Sequence, residues 1–344
     1  LAKLRQETPV NDPAEHARLA SVFAARKRAG RIRDCHGDLH LRNIAEIDGE
    51  PVLFDCIEFD ASFRWLDVID EMAFLAMDLH AHGRADWARR LLNRYLEASG
   101  DYEGMRVARY YLVYRAAVRA KIDCIRAAQS ETVARGEPQW HAFERQIDLP
   151  RRFPRPLSRF VAITSGVSGS GKTYATDLAL SRTPAIRVRS DLERKRMAGL
   201  DPTARSGSAI DAGLYSAPEN DRTYARLEAL ARLVVESGYP VIVDGTFIER
   251  RRRRPFAELA RALQVPFLVL HCRAPHDVLV QRIARRLEAG ADASEADLDV
   301  LRAQRRREQM PQPAECSELI EVDSNDPASV EAMAARLACI AGGD

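Results

Sequence analysis

Along the second half of the chain, short apolar runs alternate with longer stretches in which hydrophobic positions recur every three or four residues. Runs at 160–164, 185–189, 241–244, 266–271 and 318–322 each fit a buried strand. Between them, 221–236 places Leu227, Leu230, Leu233 and Val234 on one helical face, and 277–287 keeps the same period. This alternation predicts an α/β domain, a parallel sheet of about five strands covered on both faces. The first half reads differently. Helical patterns over 13–29, 65–82, 84–98, 101–129 and 139–148 predict a mainly α domain. A β-rich patch at 43–59 interrupts them, where Ile44–Ile47 and Val52–Phe54 flank the turn Asp48-Gly49-Glu50. Pro150, Pro154 and Pro156 make 149–158 a semi-rigid connector. The predicted division is therefore 1–148, a linker over 149–158, and 159–344.

The strand at 160–164 runs into Gly166-Val167-Ser168-Gly169-Ser170-Gly171-Lys172-Thr173, the G-x-x-x-x-G-K-[ST] spacing of a phosphate loop. Strand, glycine loop and helix follow in the order the motif requires. Inward backbone N–H groups and the helix N-terminus suit a polyphosphate. Lys172 is expected to reach the β- and γ-phosphates of ATP, and the Thr173 hydroxyl to sit on Mg²⁺. Three further features favour a small kinase over a switch or motor. Asp191 follows the second strand, placed to take the proton of an acceptor hydroxyl, with Arg194 one turn later to hold the acceptor or its phosphate; a helix cap is the alternative reading of Asp191. Asp244 ends an apolar strand on the metal side of the nucleotide. Arg282, Arg285 and Arg286 precede the acidic stretch 289–297 and suit a lid, or else a solvated basic face. His271 and Cys272 end a core strand and read as packing. Residues between Ala198 and Ser216 are expected to shape the acceptor pocket.

Bulk properties narrow the partners. A net charge of +2 demands neither nucleic acid nor an anionic surface. No apolar run approaches the ~20 residues of a bilayer span, and the start of the chain is unlike a secretory signal. Six scattered cysteines without C-x-x-C spacing read as buried free thiols in a reducing cytoplasm. The run Arg250–Arg254 reads as solvated or phosphate-facing, with a nucleic-acid groove as the alternative.

Taken together, Gly166–Thr173, Asp191 with Arg194, Asp244 and the Arg282/Arg286 helix resemble the zeta-toxin, polynucleotide-kinase and gluconate-kinase group of P-loop kinases over about 159–325. In the first half, His36-Gly37-Asp38-Leu39-His40-Leu41-Arg42-Asn43, then Leu53-Phe54-Asp55, has the layout of a kinase catalytic loop. It resembles the aminoglycoside phosphotransferase family. That resemblance implies Asp38 as base, Asn43 and Asp55 as metal ligands, His36 and His40 as braces of the loop, and Asp70 as a structural acid. The family's N-terminal β-lobe and phosphate-pairing lysine have no counterpart before His36, where only Lys3 and Lys27 occur. The chain, which begins at Leu1, thus reads as a fragment of a longer protein, or as one whose first half is a scaffold. The fused order resembles bacterial bifunctional proteins.

The expected activity is ATP- and Mg²⁺-dependent phosphoryl transfer to a hydroxyl of a small molecule. A nucleic-acid 5′-hydroxyl kinase, or a nucleotide-gated regulatory module with slow ATPase activity, are the alternatives. Nucleotide binding is expected to reside in 159–344.

Overall fold

The computed structural model describes residues 13–129, 148–149, 153, 156–201, 204, 213–289 and 296–342. The expected helix at 139–148, apart from Asp148, lies outside them, as do parts of the connector, of the pocket-shaping stretch and of the acidic lid stretch. Contacts divide the chain into two units, one of residues 1–92 with 103–156, the other of residues 93–102 with 157–344.

In the second unit five strands form one parallel sheet: β5 (Val161–Ser165), β6 (Ile186–Arg189), β7 (Val241–Asp244), β8 (Phe267–Arg273) and β9 (Glu318–Asp323). The spatial order is β6-β7-β5-β8-β9. This is the α/β architecture the alternating pattern predicts, with boundaries within two residues. Every residue of β5 and β7 is buried, because helices cover both faces and leave no wet side for a polar alternation. One layer of the core packs Phe160, Ala162, Ile242, Leu268 and Leu270 against Ala175, Ala179, Met333 and Leu337 of the covering helices. Parallel pairing brings the carboxyl ends of β5, β7 and β6 to one edge, where Ser165, Asp244 and Arg189 stand together. Ligands of such sheets bind at that edge. β6 borders β7 and not β5, so the phosphate-loop strand and the strand before Asp191 are separated by β7.

β6 is an edge strand, and its open side is closed by residues from far upstream. Asn93, late in the helix Ala85–Ser99, spans two backbone groups of β6: its amide donates to Ala185 O at 3.1 Å and accepts from Arg187 N–H at 2.7 Å. The Tyr102 hydroxyl donates to Arg187 O at 3.1 Å. The Asn93 side chain thus does for the edge what a neighbouring strand would do.

The first unit is mainly helical, as expected: α1 (Pro13–Arg28), α2 (Val68–Ala81), α3 (Ala85–Ser99, whose last turns belong to the second unit) and α4 (Met105–Gln129). Phe74 and Met77 of α2 pack with Ala116 of α4 and with Leu149. Ile44–Ile47 (β2) and Glu50–Leu53 (β3) form the predicted hairpin. Its loop is only Asp48-Gly49, with φ of 53° and 82°, the left-handed pair that matches strand twist, so Glu50 joins the strand. Residues 65–67, read as helix from sequence, are instead β4 (Trp65–Asp67), paired antiparallel with β1 (Ile32–Asp34). The reason is tertiary. Asp67 caps α2 through Ile69 N–H and is held by Arg26 in a buried two-bond pair at 2.7 Å, which fixes the helix start after it. All six cysteines are free, yet only Cys272 is fully buried and Cys339 is exposed, so the expectation of uniformly buried thiols does not hold.

Candidate functional site

The chain leaves β5 through the glycine loop and enters α5 (Lys172–Arg182). Two glycines are required by space as well as by dihedral. Gly166 has φ 145°, and a Cβ there would lie 2.3 Å from Cys272 O. Gly171, at φ 79°, caps α5, and its Cβ would lie 2.4 Å from Ser324 Cβ. Backbone can therefore wrap closely around a small anionic volume. The Lys172 ammonium donates to Gly166 O at 2.9 Å and Val167 O at 2.8 Å. Burial lowers the Lys172 pKa, with Asp244 acting in the opposite sense. Ser168 N–H donates to Gln304 Oε1 at 2.7 Å. Gln304 lies on a helix, α10 (Leu298–Arg307), and no sequence signal pointed to it.

Asp244 closes the other side of the loop. Its Oδ2 accepts from the Thr173 hydroxyl at 2.8 Å, its Oδ1 from Thr164 Oγ1 at 3.3 Å, and Arg189 Nε lies 3.9 Å away. A cavity of about 710 Å³ opens over these groups. Asp191 lines it from the second position of α6 (Ser190–Met197). The residue at the cap of α6 is Arg189, so the cap reading of Asp191 does not hold. Arg194 also lines the cavity. Its guanidinium donates to Asn220 Oδ1 at 2.6 Å and Leu214 O at 2.9 Å, and its Cζ lies 4.7 Å from the centre of the Tyr215 ring.

The basic helix after β8 divides by face. On α9 (His276–Ala289), Arg282 and Arg286 line the cavity while Arg285 is exposed to solvent. Arg282 is fastened to the loop: it donates to Gly169 O at 3.2 Å, Ser324 Oγ at 2.7 Å and Ser324 O at 2.9 Å. Arg286 donates to Ala296 O at 2.6 Å. The run 250–254 begins α8 (Arg250–Ala262), which neighbours α7 (Ala217–Glu236), and helical period sorts its members. Arg251 and Arg252 face the cavity, and Arg254 pairs with Glu258 in solvent. Arg253 is 1% exposed, and holds Glu315 by two bonds and the Phe247 and Gln309 carbonyls. That arginine is structural, which the solvated reading of the run missed. Glu249 and Tyr224 also line the cavity and had no sequence signal. His271 and Cys272 are buried in β8 as expected, with burial pushing the thiol up to about 12.

In the first unit the structure brings Asp38, Asn43 and Asp55 together. Asn43 Nδ2 donates to Asp38 O at 3.0 Å, to Asp38 Oδ2 at 3.3 Å and to Asp55 O at 3.4 Å. Asp55 adopts φ 59°, a left-handed conformation unusual for a residue with a side chain. His36 Nε2 lies 2.8 Å from Phe54 O, and His40 Nε2 3.4 Å from Asp38 Oδ2. Asp70 is held by Arg115 through bonds of 2.7 and 2.9 Å. Among the described residues no three His, Cys, Asp or Glu side chains cluster as a metal site. None of the described helices is long and apolar enough to cross a membrane.

Residues 161–311 match the family model described as an AAA domain. An uncharacterized protein of Mycobacterium tuberculosis is 33% identical over 273 residues, which are 79% of this chain and 54% of that protein. One from Mycobacterium bovis matches to the same extent. The chain thus spans about half the length of the curated relatives it matches. Among solved structures, a sugar kinase from Janibacter is 20% identical with a TM-score of 0.40, covering 54% of this chain and 98% of that one. Chaetomium thermophilum Kti12 in complex with ADP-AlF3 is 19% identical with a TM-score of 0.41, covering 53% and 100%. The Mycobacterium tuberculosis APS kinase in complex with AMPPNP and APS is 19% identical with a TM-score of 0.38, covering 54% and 98%.

Proposed function

We propose that the second unit is an ATP-dependent kinase that transfers the γ-phosphoryl group to a hydroxyl of a small molecule. The observation that supports this most directly is the junction of a complete phosphate loop with the Thr173–Asp244 pair and Asp191 around one cavity. The match of residues 161–311 to an AAA domain agrees with nucleotide binding. Loop N–H groups and Lys172 would cradle the β- and γ-phosphates. The Thr173 hydroxyl and Asp244 carboxylate, 2.8 Å apart, are a hard-oxygen pair suited to hold Mg²⁺, which would neutralise phosphate charge. Asp191 takes the proton of the acceptor hydroxyl as its oxygen bonds to the γ-phosphorus. The bond from that phosphorus to the β–γ bridging oxygen breaks, and ADP leaves with the electron pair. Arg282 and Arg286 lie where charge accumulates in that step.

The test is Lys172→Ala in the full chain, with binding of a fluorescent ATP analogue and release of ADP as readouts. Loss of both is expected. Retention of nucleotide affinity and turnover would sink the proposal. A screen of metabolite pools with γ-labelled ATP then finds the acceptor.

For the first unit we propose a second phosphotransferase-like lobe, with Asp38 as base and Asn43 and Asp55 on the metal side. The juxtaposition of Asp38, Asn43 and Asp55, which flank the β2–β3 hairpin, supports it. Cleavage of the backbone near Asn43 and Asp55 by Fe²⁺ and peroxide, suppressed by Mg²⁺, is expected. Its absence would count against a metal site there.

A further inference from the structure

Two features of the cavity are not used by a nucleotide. The first is charge. Eight basic side chains face four carboxylates across the cavity, and a fifth carboxylate, the exposed Asp221 paired with Arg252 at 2.6 Å, still leaves a positive excess. A magnesium-chelated triphosphate, with a net charge of about −2, offsets only part of such an excess. The second is geometry. Arg194 and Arg252 are each stacked on a tyrosine, Arg194 4.7 Å from the Tyr215 ring and Arg252 4.7 Å from the Tyr224 ring. They are anchored on consecutive residues of α7, Asn220 and Asp221. Arg194 is 8% exposed, and its buried Nε makes no hydrogen bond to the described residues. The bonds from its Nη1 to Asn220 and Leu214 hold the guanidinium in one orientation at the cavity wall. Ala217, in the first turn of α7, lines the same wall, so the positive end of a 20-residue helix adds to the field there.

Resting on the kinase reading above, we propose that the acceptor is itself anionic. It is a hydroxyl compound bearing a phosphate, sulfate or carboxylate group, and Arg194 and Arg252 hold that group at the α7 end of the cavity. The tyrosine contacts and the bonds to Asn220 and Asp221 restrain both guanidinium groups, so little freedom is lost when an oxyanion docks against them. The acceptor hydroxyl is then delivered toward Asp191, three residues before Arg194 on α6. A neutral polyol would leave the excess charge of this wall uncompensated.

The experiment uses inorganic sulfate as probe and the full chain, with binding read by calorimetry, with and without saturating Mg·AMPPNP. One sulfate site compatible with the nucleotide analogue is expected. Arg252→Gln, whose side chain lies at the cavity surface, should weaken that site about tenfold, and Arg194→Gln likewise. Lys172→Ala should leave it intact while abolishing binding of the analogue. Sulfate binding lost in Lys172→Ala but kept in both arginine variants would place the anion on the phosphate loop and overturn the proposal. Absence of any sulfate site would overturn it too. Failure of the analogue to bind, with sulfate binding still sensitive to Arg252→Gln, would instead count against the kinase reading and leave the anion subsite standing.

Discussion

At the scale of single residues, the phosphate loop was legible because its chemistry requires glycine and lysine at fixed spacing. Gly171 tests that requirement. Its φ of 79° and the 2.4 Å approach to Ser324 both forbid a side chain, so Gly171→Ala is expected to abolish nucleotide binding while thermal unfolding shows the sheet still forms. Asp191 was legible as a candidate, and its place inside α6 makes the test sharper. Asparagine replaces aspartate freely at a cap but not as a proton acceptor. Asp191→Asn should therefore lower turnover by ~10²–10⁴ with nucleotide affinity unchanged, as steady-state kinetics would show. Near-normal turnover would remove it as the base. Glu71 was invisible in the sequence. It is buried, one oxygen accepts from Gly37 N–H at 3.2 Å, and the other has no partner among the described residues. Burial raises its pKa, against opposing effects of the Gly37 bond, Arg115 and His36. A carboxyl with a raised folded-state pKa takes up a proton on folding, so stability of the first unit should fall as pH rises from the ordinary glutamate range through the raised value. Glu71→Gln should flatten that slope in thermal melts between pH 4 and pH 8, a window chosen from about the ordinary glutamate pKa upward. An unaltered slope would show that Glu71 is not responsible.

At the scale of elements, long periodic segments were read well and short ones were not. The five strands of the parallel sheet announce themselves because burial on both faces makes them continuously apolar. β1 and β4 are three residues each, and Arg26 fixes Asp67 at the end of β4 through a contact across 41 residues that no local pattern reports. Arg187 shows the same limit. In sequence it is one arginine in an edge strand. In the structure it is 1% exposed and bonded to Glu97 at 2.7 Å, Asp177 at 2.8 Å and Thr176 Oγ1 at 2.9 Å, the last two on α5 behind the phosphate loop. Removing one partner of a buried ion pair leaves an uncompensated charge. Glu97→Ala should cost ~3–5 kcal/mol in the unfolding of the second unit, measured by denaturant titration. It should also weaken nucleotide binding, since Arg187 reaches toward Thr173 O at 3.4 Å. A loss under about 1 kcal/mol would mean that Asp177 alone compensates Arg187.

At the scale of the whole molecule, the near-neutral net charge conceals an uneven distribution, with basic side chains drawn to one cavity. Composition alone demanded no anionic surface or nucleic acid; only the fold shows where the arginines converge. The two candidate sites lie in different units, so their contributions separate. Asp38→Asn should leave binding of the nucleotide analogue to the phosphate loop unchanged, whereas Lys172→Ala removes it; equal losses would refute the assignment of that binding to the phosphate loop. Interruption of the second unit by a long excursion of the chain could not be read from local pattern, because Asn93–Tyr102 is simply the end of one helix and the start of the next. That segment has a consequence for what a protease would yield. A single nick in the connector separates the polypeptide into two pieces, yet the second unit needs parts of both, Asn93 from one and Ala185 from the other. The nicked protein should travel as one particle in gel filtration and come apart only in denaturant, and the purified C-terminal piece should regain cooperative melting when the N-terminal piece is added back.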